Sequence, residues 1–317
     1  MSAILEGGVP DAVIGAFLVA LKMKGETTAE LAGFAQAMRE KCLHVDVGPD
    51  LQSQLIDIVG TGGDHAGTFN ISTVAAFVLA GAGAKVAKHG NRAISGKVGS
   101  ADVLEALGVR ISLTPEEASS AIREIGLGFL FAPHLHPAMR HAQPVRRELK
   151  MRTVFNLLGP LSNPAGAQVQ VIGAPSSHTA KIMAEALRAL GTRHSYVVHG
   201  HDGTDELTST TTSDVWEISE GEIQLHTWAP EDFGMKRSTL ADLAGGEAID
   251  NANITLDILN GTRGAKRDIV VLNAALGLLA LDPAVSHRDA VDRASQAIDS
   301  GSALTVLERL RKKFPAG

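Results

Sequence analysis

The sequence predicts an α/β fold, a small all-helical domain joined to a larger domain with a mostly parallel central sheet flanked by helices. Three observations carry this expectation. Residues 1–45 contain helix signals and no strand signal. From Leu55 onward, short apolar runs alternate with helical segments, the pattern of β-α units on a parallel sheet. Between Asp57 and Asp102, two glycine-rich turns bracket a small-residue helix.

In chain order, Pro10-Asp11 opens a helix closed by Gly25, and Thr27 or Thr28 caps a second one. Asp46–Asp50 is a polar hinge. Leu55–Val59 reads as a buried strand, Val74–Ala82 as an apolar helix and Val86–Arg92 as a second strand and its loop. Helices are expected at Ser100–Leu107 and at Pro115–Ile125, the latter after the cap Thr114. Phe129–Ala132 reads as a strand, and His136–Leu149 and Arg152–Leu157 as helices. Val169–Gly173, His178–Leu190 and Ser195–Gly200 form a further β-α-β unit. Val215–Ile218 and Ile223–Leu225 form a hairpin. Asn251–Leu259, Arg267–Leu281 and His287–Arg311 read as helices.

Composition excludes several classes. Of 317 residues 44% are hydrophobic, ample for a core, and the 20% charged fraction lies below the usual ~25%. A net charge of −6 argues against non-specific nucleic-acid binding. The single cysteine, Cys42, rules out an internal disulfide and suits a reducing compartment. No secretory leader is visible, and the apolar runs Ala75–Ala82 and Ile269–Leu281 are too short or too interrupted to span a bilayer. A soluble, cytoplasmic protein is expected.

The chemistry is concentrated in four motifs and one basic segment. Gly60-Thr61-Gly62-Gly63-Asp64 ends a strand and lets backbone N–H groups approach an anion, although such a turn taken alone is more often a plain connection. Asn70-Ile71-Ser72-Thr73 precedes a helix; these polar residues serve as N-caps, or face an anion together with the positive helix end. Lys88-His89-Gly90-Asn91-Arg92 follows, then Ser95 and Ser100. Lys88 is either a phosphate-binding charge or a solvated strand end. Asp205-Glu206 lies just past a strand; it is either a hard-cation pair or an exposed acidic turn. Arg140, Arg146, Arg147, Lys150 and Arg152 make a cationic segment, either solvated or able to grip a carboxylate.

The series GTGGD, NIST, KHGN, GSAD, HPAM, RREL, RTVFNLLGPLSNP and the DE pair resembles the anthranilate phosphoribosyltransferase family over nearly the whole chain. The resemblance implies a domain division of 1–45 with 135–155 (helical) and 46–134 with 156–317 (α/β). It implies phosphoribosyl pyrophosphate as donor, bound by Gly60, Gly63, Asp64, Thr68, Asn70, Ile71, Ser72, Thr73, Lys88, His89, Gly90, Asn91, Arg92, Ser95, Gly96 and Ser100. Anthranilate would meet Asn91, His136 and Arg146. Ser72, Asp205 and Glu206 would bind Mg²⁺, two ions in all. His136 and His89 are candidates for a general base, against the commoner structural role of a lone histidine. A homodimer through the helical domain is implied, with no nucleic acid and no membrane as partner. Relative to the family, Met1 aligns with the second helix, so the first is expected to be absent or to lie outside this sequence. Ala93, Gly96 and Val98 stand where the family usually has serines, so that loop is expected either to bind the donor more weakly or to serve through its backbone N–H groups.

Rival readings are a pyrimidine nucleoside phosphorylase of the same fold, which lacks the RREL and RTVFNLLGPLSNP series, and a nucleic-acid-binding paralogue, which would need a basic surface. A dinucleotide-binding dehydrogenase is disfavoured because G-x-G-x-x-G is absent.

Overall fold

A computed structural model of the chain describes residues 1–62, 66–93 and 98–316. Among them, seven strands form one sheet: β1 (Leu55–Gly60), β2 (Lys85–Gly90), β3 (Leu127–Phe131), β4 (Val169–Gly173), β5 (His194–Gly200), β6 (Ser213–Ser219) and β7 (Glu222–Trp228). The order is β3-β2-β1-β4-β5-β6-β7. The first five strands are parallel, and β6 and β7 are antiparallel additions. The chain winds from β1 outward to β3, then returns to lay β4 on the other side of β1. Ligands of open α/β sheets bind at this reversal, beyond the carboxyl ends of the strands.

The expected hairpin is present. Glu220 and Gly221 both have positive φ, 51° and 81°, as a tight two-residue turn between twisted strands requires. The apolar helix Ile71–Gly81 is buried along nearly its whole length, between β1 and the helices Ala265–Leu281 and Ser302–Lys313. The N-terminal helical domain contains Asp11–Lys24 and Thr28–Glu40, the second opened by a Thr27–Glu30 capping box. Leu18, Leu31 and Met38 from these helices share one apolar cluster with Val145 and Phe155 and with Ile172, Val197 and Trp216 of the sheet. The helical layer is therefore seated on one sheet face through the helix Ser177–Ala189.

Several elements depart from expectation. The helix expected from Val74 begins at Ile71, with Asn70 in the N-cap position: its carbonyl accepts the Thr73 and Val74 N–H groups, while its side chain bonds Val98 and Asn251 instead of the helix end. The segment expected as one helix over His136–Leu149 is a 3₁₀ turn, Pro137–His141, and a separate helix, Gln143–Leu149, with a proline in the first turn of each. The following helix spans Phe155–Leu161 rather than Arg152–Leu157. His287–Arg311 is likewise two helices, divided at Gly301 with φ 75°.

Candidate active site

At the reversal point Gly60 of β1 is in register with Gly173 of β4. The loop after β5 lies directly on both. A Cβ on Gly60 would come within 2.5 Å of Asp205 Oδ2, and one on Gly173 would strike the Asp205 carbonyl. Only glycine admits a backbone this close. The turn beyond β1 is held in place: Thr61 N–H donates to the Gly173 carbonyl at 2.9 Å, and Gly62 N–H donates to Asp205 Oδ2 at 2.9 Å. Gly63, Asp64, Ser95 and Gly96 lie outside the described residues.

The start of the Ile71–Gly81 helix faces the same end of the sheet. Asn70 Nδ2 donates to the Val98 carbonyl (3.1 Å) and Asn70 Oδ1 accepts from Asn251 Nδ2 (2.9 Å). Thr68 makes an antiparallel bridge with Ala244. The NIST segment is thus fixed from both flanks. Ser72 Oγ accepts from Lys88 Nζ at 3.4 Å. Thr73 is buried, and its hydroxyl has no partner among the described residues.

Lys88 is 3% exposed, which excludes the solvated strand end. Its Nζ donates to the Ile58 carbonyl at 2.7 Å. Burial pushes its pKa down to about 8, against the opposing pull of the Asp57 and Glu206 carboxylates. Glu206 therefore acts on Lys88, Lys88 touches Ser72, and Asp205 holds the glycine turn. Of the three residues read as metal ligands, Asp205 lies on the ends of β1 and β4, and Glu206 and Ser72 are both linked to Lys88. Two neighbouring carboxylates and a hydroxyl suit Mg²⁺, which takes few protein oxygens and completes its shell with phosphate and water. Among the described residues no three His, Cys, Asp or Glu side chains form a fuller cage. The donor set fits a metal brought in with a phosphorylated substrate.

Beneath this site Asp57 is fully buried and pushed up to about 6 by burial. It accepts from Asn163 Nδ2 (2.8 Å) and from the His89 N–H (3.1 Å). Asp57 was legible as a carboxylate inside the apolar run LIDIV, and Asn163 as part of LSNP, but sequence reasoning assigned neither to the site.

The His89 and His136 rings lie 5.0 Å apart, both nearly buried, and neither Nε2 has a partner among the described residues. His89 Nδ1 pairs with the Gly159 carbonyl at 2.9 Å. Burial pushes His89 down to about 4 and His136 to about 3. A base that weak is poorly matched to proton abstraction near neutrality.

In the loop beyond β2, Asn91 Oδ1 accepts from the Arg92 N–H (2.7 Å) and the Asn91 carbonyl accepts from Ser100 Oγ (3.3 Å). Arg92 is committed to Asp102 and Glu105, at 2.9 and 2.5 Å. Asp102 Oδ2 also accepts the Ala93 and Gly99 N–H groups. Ala93 is thus anchored through its N–H and Val98 through its carbonyl, which the lost hydroxyls do not affect.

Of the five cations on the 140–152 segment, Arg140, Arg147 and Lys150 are exposed. Arg146 is half-buried, with its guanidinium 5.3 Å from the Phe155 ring centroid. Burial lowers its pKa, and no carboxylate among the described residues opposes that shift. Arg152 Nη1 donates to the Gly62 carbonyl at 2.5 Å, whereas its Nη2 is buried without a partner among the described residues. The basic segment was legible in the sequence, but nothing in it signalled that Arg152 reaches the glycine turn.

Fold and site together define the class. Residues 52–304 match the glycosyl transferase family, a/b domain, and residues 1–42 match the glycosyl transferase family, helical bundle domain. An anthranilate phosphoribosyltransferase from Solibacter usitatus (strain Ellin6076) is 52% identical over 98% of this chain and 91% of its own. A crystal structure of anthranilate phosphoribosyltransferase from Thermus thermophilus superposes with TM-score 0.92 at 45% identity, covering 98% of this chain and 92% of that one. The Saccharomyces cerevisiae protein of that name, in complex with PRPP and Mg, gives TM-score 0.88 at 28% identity, covering 96% and 85%. The chain belongs to the anthranilate phosphoribosyltransferase family.

Proposed function

We propose that this protein transfers the 5-phosphoribosyl group of phosphoribosyl pyrophosphate (PRPP) to the amino group of anthranilate, releasing pyrophosphate. One observation carries the reading: the 60–62 turn, the start of the Ile71–Gly81 helix, buried Lys88 and the Asp205-Glu206 pair converge at one end of the sheet. The relative solved with PRPP and Mg supports it.

In this reading the backbone of the glycine turn, with Thr68 and the 70–73 segment, cradles the diphosphate, and Lys88 supplies positive charge. Ser72, Asp205 and Glu206 would hold Mg²⁺, two ions in all, and the bound metal would supply positive charge to the diphosphate leaving group. Arg146 takes the anthranilate carboxylate, with Asn91 and His136 beside it. The amine lone pair forms the bond to C1 as the C1–O bond breaks, and pyrophosphate leaves with the electron pair. The aryl amine is already a neutral nucleophile and loses its proton late, to the departing pyrophosphate, so two weakly basic imidazoles serve as neutral walls. Catalysis then rests on orientation and electrostatics.

The helical unit comprises 1–45 with 135–155 and the α/β unit the remainder. A homodimer forms through the helical unit, which exposes Val13 and Met23 on the helix Asp11–Lys24. The protein works in the cytoplasm, in keeping with the free thiol of buried Cys42.

The test is loss of anthranilate fluorescence. The chain consumes anthranilate only when PRPP and Mg²⁺ are both supplied. Phosphate-dependent cleavage of a pyrimidine nucleoside, with anthranilate untouched, would overturn the reading.

A further inference from the structure

Arg152 occupies the link between the helix Gln143–Leu149, which carries Arg146, and the helix Phe155–Leu161, whose Gly159 carbonyl pairs with His89. From there it reaches across 90 residues of sequence to the Gly62 carbonyl. The Gly62 N–H, in turn, donates to Asp205. Arg152 and Asp205 thus hold the carbonyl and the N–H of one glycine. Among the described residues the Arg152 fork spends one arm on a backbone carbonyl and leaves the other buried and unmatched, which is costly unless a ligand completes it. The missing partner is an acceptor, and a planar guanidinium beside an anion-binding turn suits a phosphate oxygen.

We propose that Arg152 is a positioning residue for the donor: one nitrogen fixes the glycine turn against Asp205, and the other receives an oxygen of the donor's diphosphate. This rests on the donor site described above. Arg146 and Arg152, six positions apart, then divide the work, the first meeting the acceptor and the second the donor.

Calorimetric titration of the full chain with PRPP in the presence of Mg²⁺, joined to steady-state KM values for both substrates, tests this. Arg152→Ala is expected to weaken PRPP binding by about 10- to 100-fold, the worth of a charge-assisted hydrogen bond, and to leave the KM for anthranilate within about threefold. Arg152→Lys, which keeps the charge and loses the fork, falls between. Melting temperatures of both variants identify a folding defect, and if the alanine variant does not fold, the lysine variant decides. Unchanged PRPP affinity with a lowered melting temperature would make Arg152 a structural brace and overturn the proposal. An anthranilate KM raised as much as that of the donor would also overturn it. Absence of PRPP binding by the unaltered chain would overturn the donor site itself, and the role of Arg152 with it.

Discussion

Arg146 is a half-buried cation set against the Phe155 ring. Such a group gains most from a carboxylate that arrives as substrate. Arg146→Ala is expected to raise the KM for anthranilate by about 10- to 100-fold and to change that for PRPP by far less. Steady-state kinetics with each substrate varied check this. Gly173 makes a different demand, because the Asp205 carbonyl occupies the space of its missing side chain. Gly173→Ala forces the 200–208 loop away from the strand ends. It should cost about 1–3 kcal/mol in a urea unfolding titration and abolish most turnover, since Asp205 moves with the loop. Candidate residues were nameable from sequence where a motif marked them, as for Lys88, Asp205 and Arg146. Gly173 carries no motif. Its role comes from register with Gly60 across two strands that are far apart in sequence, and no local pattern encodes that.

At the scale of elements, β2 and the turn before Pro137 bring His89 and His136 ring to ring in a buried layer, with His89 paired to the Phe155–Leu161 helix. Both folded-state pKa values, about 4 and about 3, lie below the ordinary 6.5. The unfolded chain therefore binds protons near pH 6.5 that the folded chain refuses. This stabilisation is present above pH 6.5 and is lost as pH falls toward 4 and then 3, by up to about 1.4 kcal/mol per pH unit for each ring. Urea midpoints measured from about pH 7.5 to about pH 4.5 should fall with pH, and the double variant His89→Gln with His136→Gln should show a flatter slope. Strands and the hairpin were legible because apolar runs and turn chemistry are local. The helix start at Ile71 was not, because Asn70, Ser72 and Thr73 are all good N-caps and only the long-range bonds of the Asn70 side chain to Val98 and Asn251 fix which of them takes that position. The break in the 136–149 segment was written in Pro137 and Pro144, each of which opens a new element instead of continuing one.

For the whole molecule, the doubly wound order places the ends of β1, β2, β4 and the loop after β5 around one point, so that motifs spread from residue 60 to residue 206 become neighbours. Asp205→Asn with Glu206→Gln should eliminate both activity and its response to Mg²⁺, read by titrating the metal in the fluorescence assay. The central claim is that this point is where the donor's diphosphate rests. A crystal of the protein soaked with PRPP and Mg²⁺ tests it most directly. The expected result is a diphosphate held by backbone N–H groups between Gly60 and Thr73, with a metal ion against Asp205 and Glu206. A diphosphate bound elsewhere, or carboxylates turned away from every ion, would contradict it.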